Sequence, residues 1–204
     1  AGRASFTLAA PEGREPVSLA LVGAHHVANA LAAAAGARAL GLGLPLIARA
    51  LSGARALSPH RMDVRGLRIG AVPLTIIDDS YNANIDSMRA AVAALEAIGK
   101  GRRTIAVLSE MLELGEDSPA THRAVGAMLS DARVGALIGL GHDAHYYSEG
   151  AAAVPDRVLV EDPGAALAAV LDRLTDDCVV LVKGSYNSYS WQVADGLLEE
   201  ATTR

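Results

Sequence analysis

The chain has 204 residues, 18 of them basic and 23 acidic, for a formal charge of −5, and 51% of its residues are apolar. That apolar content supports a substantial core and excludes wholesale disorder, while only 3% aromatics means that Ala, Leu, Val and Ile must do the packing. Only Lys100 and Lys183 are lysines, and no basic stretch suited to neutralising phosphates occurs, so no nucleic-acid partner is expected. The single cysteine, Cys178, excludes an intramolecular disulfide and lies in an apolar run, where a buried, inert thiol in a reducing, cytoplasmic setting is expected. No signal peptide or membrane span is expected; the stretch 27–48 comes nearest, but Arg38 interrupts it and Ala and Gly dominate it.

In chain order, the alternation over Ser5–Leu8 predicts the end of a sheet, and Val17–Val22 predicts one more short strand. Val27–Leu40 is strongly helix-forming and stops at Gly41, Leu46–Leu51 is a short second helix, and the irregular stretch Gly53–His60 marks a domain boundary. Met62–Ile69 then reads as a strand with a turn at Gly66, and Leu74–Ile77 as a buried strand. A helix follows from Asp86, read as its N-cap, to Ile98. Strands at Thr104–Leu108, Val134–Ile138, Val158–Val160 and Cys178–Val182 alternate with helices at Pro119–Leu129, Asp143–Gly150, Gly164–Leu174 and Ser190–Glu200. Apolar strands separated by helices predict an α/β, Rossmann-like, mostly parallel sheet flanked by helices. Ligands of such sheets bind beyond the carboxyl ends of the strands, which singles out Asp78-Asp79, Ser109-Glu110 and Lys183-Gly184.

The loop 78–84 is the sharpest polar feature, with six polar side chains in seven positions between a strand and a helix. A turn needs fewer, although Asp and Asn also serve turns and caps. An Asp there suits a ribose hydroxyl, and Asn suits an amide or carboxylate. Lys183 at a strand end suits an anion, and Glu110 either pairs with Lys183 or orients a substrate amine. His25 and Asn29 at the start of a helix, and Arg61 beside the boundary, suit phosphate or base contacts. No phosphate loop, dinucleotide fingerprint, nucleophile elbow or zinc-ligand spacing is present, and no metal ligand is expected.

Four segments stand in order: Gly23–Leu31, Asp78–Asn84 continuing through Asp86-Ser87-Met88, Val107–Gly115 (VLSEMLELG) and Leu181–Ser185 (LVKGS). Together they resemble the Mur ligase family, in its D-alanyl-D-alanine-adding branch. The resemblance implies that residues 1–57 are the C-terminal remnant of a central ATP-binding domain and residues 58–204 a Mur ligase C-terminal domain. It implies an ATP-dependent amide ligase that adds D-alanyl-D-alanine to UDP-N-acetylmuramoyl-tripeptide in peptidoglycan precursor synthesis. ATP and Mg2+ would be held mainly by a central domain outside this sequence, the protein would be a monomer, and these residues alone would not turn over. Matched residue by residue, His25, Asn29, Arg61 and Asp79 would meet ATP, and Tyr81, Asn82, Asn84, Glu110 and Lys183 would meet the acceptor. Where the family commonly has Arg after Lys-Gly-Ser, this chain continues with Tyr186 and an aromatic-rich segment to Trp191. The alternatives are a related ligase with another amine acceptor and a non-catalytic binding module that uses the segment 186–191.

Overall fold

The computed structural model describes residues 3–55, 58–175 and 177–202, except the side chains of His25 and Thr202. The chain divides into two compact units, Ala1–Ser58 and Pro59–Arg204. In the first, strands β1 (Arg3–Ala10) and β2 (Gly13–Val22) form an antiparallel hairpin, followed by helices α1 (His25–Ala39) and α2 (Leu44–Gly53). Both strands are longer than their sequence signal, because every second residue faces solvent and only Leu8, Val17, Leu19 and Val22 are buried. Helix α1 does end at Gly41. Its N–H bonds to the Arg38 carbonyl and that of Leu42 to the Ala37 carbonyl, and the φ of 85° this requires is one glycine adopts freely.

The second unit holds a six-stranded sheet in the order β3-β4-β8-β5-β6-β7. Strand β3 (Asp63–Ile69) runs antiparallel to β4 (Val72–Asp79), and the remaining neighbours are parallel. The chain continues through α3 (Ile85–Ile98), β5 (Thr104–Ser109), α4 (Ser118–Asp131), β6 (Ala136–Leu140), α5 (Ala144–Gly150), β7 (Asp156–Val160), α6 (Pro163–Leu171), β8 (Cys178–Lys183) and α7 (Trp191–Thr202). The mostly parallel, helix-flanked α/β architecture is therefore as the sequence predicts. Strands β5, β6 and β8 are buried along their whole length, which is why they read as unbroken apolar runs. One face packs Ile105, Val107, Ile138, Val180 and Val182 against α6 and α7. The alternate residues Ala106, Leu108, Leu137 and Leu181, also fully buried, point to the other face, which α3, α4 and α5 cover. Cys178 is buried in this sheet, and burial pushes its thiol pKa up.

Two local expectations are corrected. Gly66 lies within β3, paired with Thr75, and the reversal occurs at Gly70-Ala71, where Gly70 supplies a φ of 59° for a two-residue turn. The N-cap of α3 is Asn84 rather than Asp86. Its side-chain oxygen accepts from the Ser87 N–H at 2.8 Å, and Ser87 Oγ accepts from the Asn84 N–H at 3.1 Å. An extended residue before the helix can aim its side chain at the free N–H groups, whereas Asp86 already lies in the first turn and contributes only charge. Replacing Asn84 with Ala is expected to cost about 1 kcal/mol in chemical denaturation, and Asp86→Ala no more than about 0.5 kcal/mol.

Candidate functional site

The strand order brings the three polar strand ends side by side, because β8 lies between β4 and β5. In register, Asp79 stands opposite Lys183, and Lys183 opposite Leu108. The chain leaves β4 for β5 and returns to fill the gap with β8, so the crevice beyond these ends is a topological switch point of the kind that receives ligands.

The Lys183 side chain is only 1% exposed and turns back into the domain. Its Nζ donates to Asp79 Oδ2 at 2.5 Å and to the Asn82 carbonyl at 2.9 Å. Burial pulls the lysine pKa down and the Asp79 carboxylate opposes it, with Arg61 adding to the depression. Asp79 Oδ1 accepts from the Met62 N–H at 3.0 Å, so this carboxylate joins β4, β8 and the segment entering β3. The neighbouring Asp78 accepts from Ser80 Oγ at 2.6 Å and bonds His60 Nδ1 at 2.8 Å. Four non-glycine residues near these strand ends, His60, Met62, Glu113 and Tyr189, have φ between 48° and 68°. Such a cluster of left-handed backbone is held only where surrounding contacts over-determine it.

Tyr81 is 40% exposed beyond β4, with the Arg61 guanidinium 3.9 Å from its ring centroid. Its ring meets Tyr186 at 5.7 Å, and Tyr186 stacks on Trp191 at 5.7 Å with planes 12° apart. Of the aromatic segment 186–191, Tyr186 and Asn187 thus line the site, with Trp191 stacked on Tyr186. A cleft of about 770 Å³ lies here, lined by Tyr81, Asn82, Asn84, Glu113, Tyr186 and Asn187 among others.

The segment after β5 forms the facing wall, and a set of buried bonds fixes it. Tyr147 Oη donates to the Ser109 carbonyl at 2.9 Å, and burial holds its pKa well above the usual phenol value. The Met111 N–H donates to His122 Nε2 at 3.1 Å, while His122 Nδ1 donates to the Ser118 carbonyl at 2.7 Å. These partners define one neutral tautomer, and burial pushes the imidazole pKa down. Ser185 Oγ accepts from the Leu112 N–H at 3.0 Å, and Ser109 Oγ bonds Ser188 Oγ at 2.6 Å. A Cβ on Gly184 would lie 1.6 Å from Ser109 Oγ, so only glycine lets the β8 end approach the β5 end this closely.

Arg61, Asp79, Tyr81, Asn82, Asn84, Glu110 and Lys183 all belong to the second unit, at or beside these strand ends. His25 and Asn29 belong to the first unit, where Asn29 is exposed on α1 and the side chain of His25 lies outside the described residues. Two expectations are revised. The pairing of Glu110 with Lys183 does not form, since Glu110 Oε1 accepts from the Asp143 N–H at 2.8 Å. Lys183, expected to meet a ligand, is occupied inside the domain and positions the 79–82 backbone instead. Sequence reasoning missed Glu113 and His122; the first was one more acid in a motif, and the second an isolated histidine in a helix.

The segment 60–186 matches the family described as Mur ligase, glutamate ligase domain. The chain belongs to the Mur ligase family. The UDP-N-acetylmuramoyl-tripeptide–D-alanyl-D-alanine ligase of Mycobacterium tuberculosis is 39% identical over 98% of this chain, and that of Escherichia coli K12 is 34% identical over 97%. The chain spans 43% and 42% of those proteins, respectively. A crystal structure of MurF from Acinetobacter baumannii has a TM-score of 0.86 at 30% identity, over 97% of this chain and 43% of that one. The MurF ligase of Thermotoga maritima, solved in complex with ADP, shares the fold with a TM-score of 0.78 at 22% identity, over 100% of this chain and 45% of that one. Among the described residues, no helix is long and apolar enough to cross a membrane.

Two measurements probe this Mur ligase domain. Lys183→Met leaves Asp79 without its cation and is expected to lower unfolding free energy by about 3 kcal/mol. His122 has a folded pKa below its unfolded value of about 6.5, so its contribution is complete above that pH and is lost as pH falls through the lower, folded value. Stability curves below pH 6.5 should accordingly fall less steeply in His122→Gln than in the parent.

Proposed function

We propose that this chain is part of an ATP-dependent amide ligase that adds D-alanyl-D-alanine to UDP-N-acetylmuramoyl-tripeptide. The observation that carries the reading is the polar cleft at three adjacent strand ends, in a chain 39% identical to ligases bearing that name. On this reading residues 1–57 are the end of a central ATP-binding domain and residues 58–204 the C-terminal domain. His25, Asn29, Arg61 and Asp79 serve the nucleotide side, and Tyr81, Asn82 and Asn84 the acceptor side. Lys183 and Glu110 act through the backbone they hold.

In the reaction the tripeptide carboxylate attacks the γ-phosphorus of ATP, releasing ADP and giving an acyl phosphate. The acceptor amine, having lost a proton, then attacks the acyl carbon, and phosphate departs to leave the amide. Both steps need the amine held in line and water kept from the acyl phosphate. The fixed cleft serves the first need, because its walls are locked by bonds that binding does not have to create. Among the described residues, no group of three or more His, Cys, Asp or Glu side chains is placed to hold a metal ion. On this reading Mg2+ would accompany ATP and be held mainly by the central domain.

Phosphate release by the full-length protein is expected to require ATP, the UDP-tripeptide and D-alanyl-D-alanine together. Arg61→Ala should lower kcat/KM for ATP by about 10²-fold, through the loss of one charge-assisted donor. Equal turnover with unrelated amino acids in place of the dipeptide would point to the related ligase with another acceptor. Binding without turnover would point to the non-catalytic module.

A further inference from the structure

The walls of the cleft differ in hydrogen-bonding character, and the difference follows from which atoms are already used. Asn82 Oδ1 accepts from the Ala83 N–H at 2.8 Å, and Asn84 Oδ1 accepts from the Ser87 N–H at 2.8 Å. Each oxygen is thereby held toward its own backbone, while each NH2 group, which only donates, is left to turn toward a ligand. The wall built on 82–84 is therefore suited to an anion such as a carboxylate. The same cleft is lined by Glu113, on the segment after β5, the one Asp, Glu, Lys or Arg among the described lining residues, and an ionised carboxylate only accepts.

Glu113 is exposed, and its carboxylate has no hydrogen bond or ion pair among the described residues. Its backbone nevertheless sits at a φ of 68°, a conformation that glutamate seldom adopts. The preceding residues are fixed by the Met111–His122 and Leu112–Ser185 bonds, so the side chain projects from an anchored segment. The cleft thus offers one carboxylate and two outward amide NH2 groups, a set that suits a zwitterion with an ammonium at one end and a carboxylate at the other.

We propose that Glu113 binds the ammonium end of the acceptor dipeptide while the amides of Asn82 and Asn84 receive its carboxylate end. This rests on the ligase reading above and adds the direction in which the acceptor lies. Glu113 sets specificity: it favours acceptors with a free cationic amine and fixes where the nucleophilic nitrogen sits before its proton is lost. Glu110, three residues earlier, differs: its Oε1 accepts from the Asp143 N–H, and it is not among the described residues that line the cleft.

The test uses the full-length enzyme, with KM measured separately for ATP, UDP-tripeptide and D-alanyl-D-alanine. Glu113→Gln, nearly isosteric and with the same backbone demands, is expected to raise KM for the dipeptide at least 10-fold and leave the other two within about 2-fold. Glu113→Asp should recover part of the loss. With D-alanyl-D-alaninamide, which lacks the carboxylate, Asn82→Ala should have no further effect, whereas Glu113→Gln should still weaken binding. An unchanged dipeptide KM in Glu113→Gln overturns the proposal, as does a parallel rise in all three KM values, which would mark a structural role. A parent enzyme that forms no amide with any dipeptide would instead remove the ligase reading, and this proposal with it.

Discussion

The site depends on one buried contact, the ammonium of Lys183 against the carboxylate of Asp79. Bringing the charge of a lysine into a position 1% exposed is costly, and the pair is tolerable because Nζ also meets the Asn82 carbonyl and Asp79 also holds the Met62 N–H. Four pieces of chain are thereby fixed together: the ends of β4 and β8, the segment entering β3, and the loop leading to α3. Replacing the pair by two apolar groups could preserve packing, but it would free the Met62 N–H and the Asn82 carbonyl from their partners. The contact is better understood as a means of positioning backbone than as a source of stability.

Much of this frame was legible in the sequence, and for identifiable reasons. Strands β5, β6 and β8 are covered on both faces, so they are apolar throughout and stand out from their surroundings. Gly41 marked the end of α1 because a left-handed residue was required there. The strand-end rule nominated Asp79, Glu110 and Lys183, and the strand order puts those ends side by side. Edge strands were harder to read: β7 alternates between exposed and partly buried residues, and in β3 only Ile69 is buried, so their signal is diluted.

What the sequence did not reveal is the direction in which side chains turn. Glu110 and Glu113 are alike in type and three positions apart, yet one faces Asp143 and the other the cleft. The left-handed φ at Glu113 and the pinning of Met111 and Leu112 by distant residues decide this, and neither has a local sequence signature. Asn84 illustrates the same limit. Counted as a ligand group, it is also the cap of α3, and that duty turns its oxygen toward Ser87.

The place of β8 has a consequence for how this domain comes into being. Residues 74–79 pair with residues 178–183, so a central strand of the sheet is the last of its strands to leave the ribosome. Until it arrives, β4 and β5 present open, apolar edges that no local segment can close, and the intervening helices have only a split surface to pack on. Assembly of the sheet and creation of the cleft are therefore one late event. A nascent chain stopped short of residue 178 would lack the binding surface and would also expose sticky strand edges, making it a natural client for chaperones.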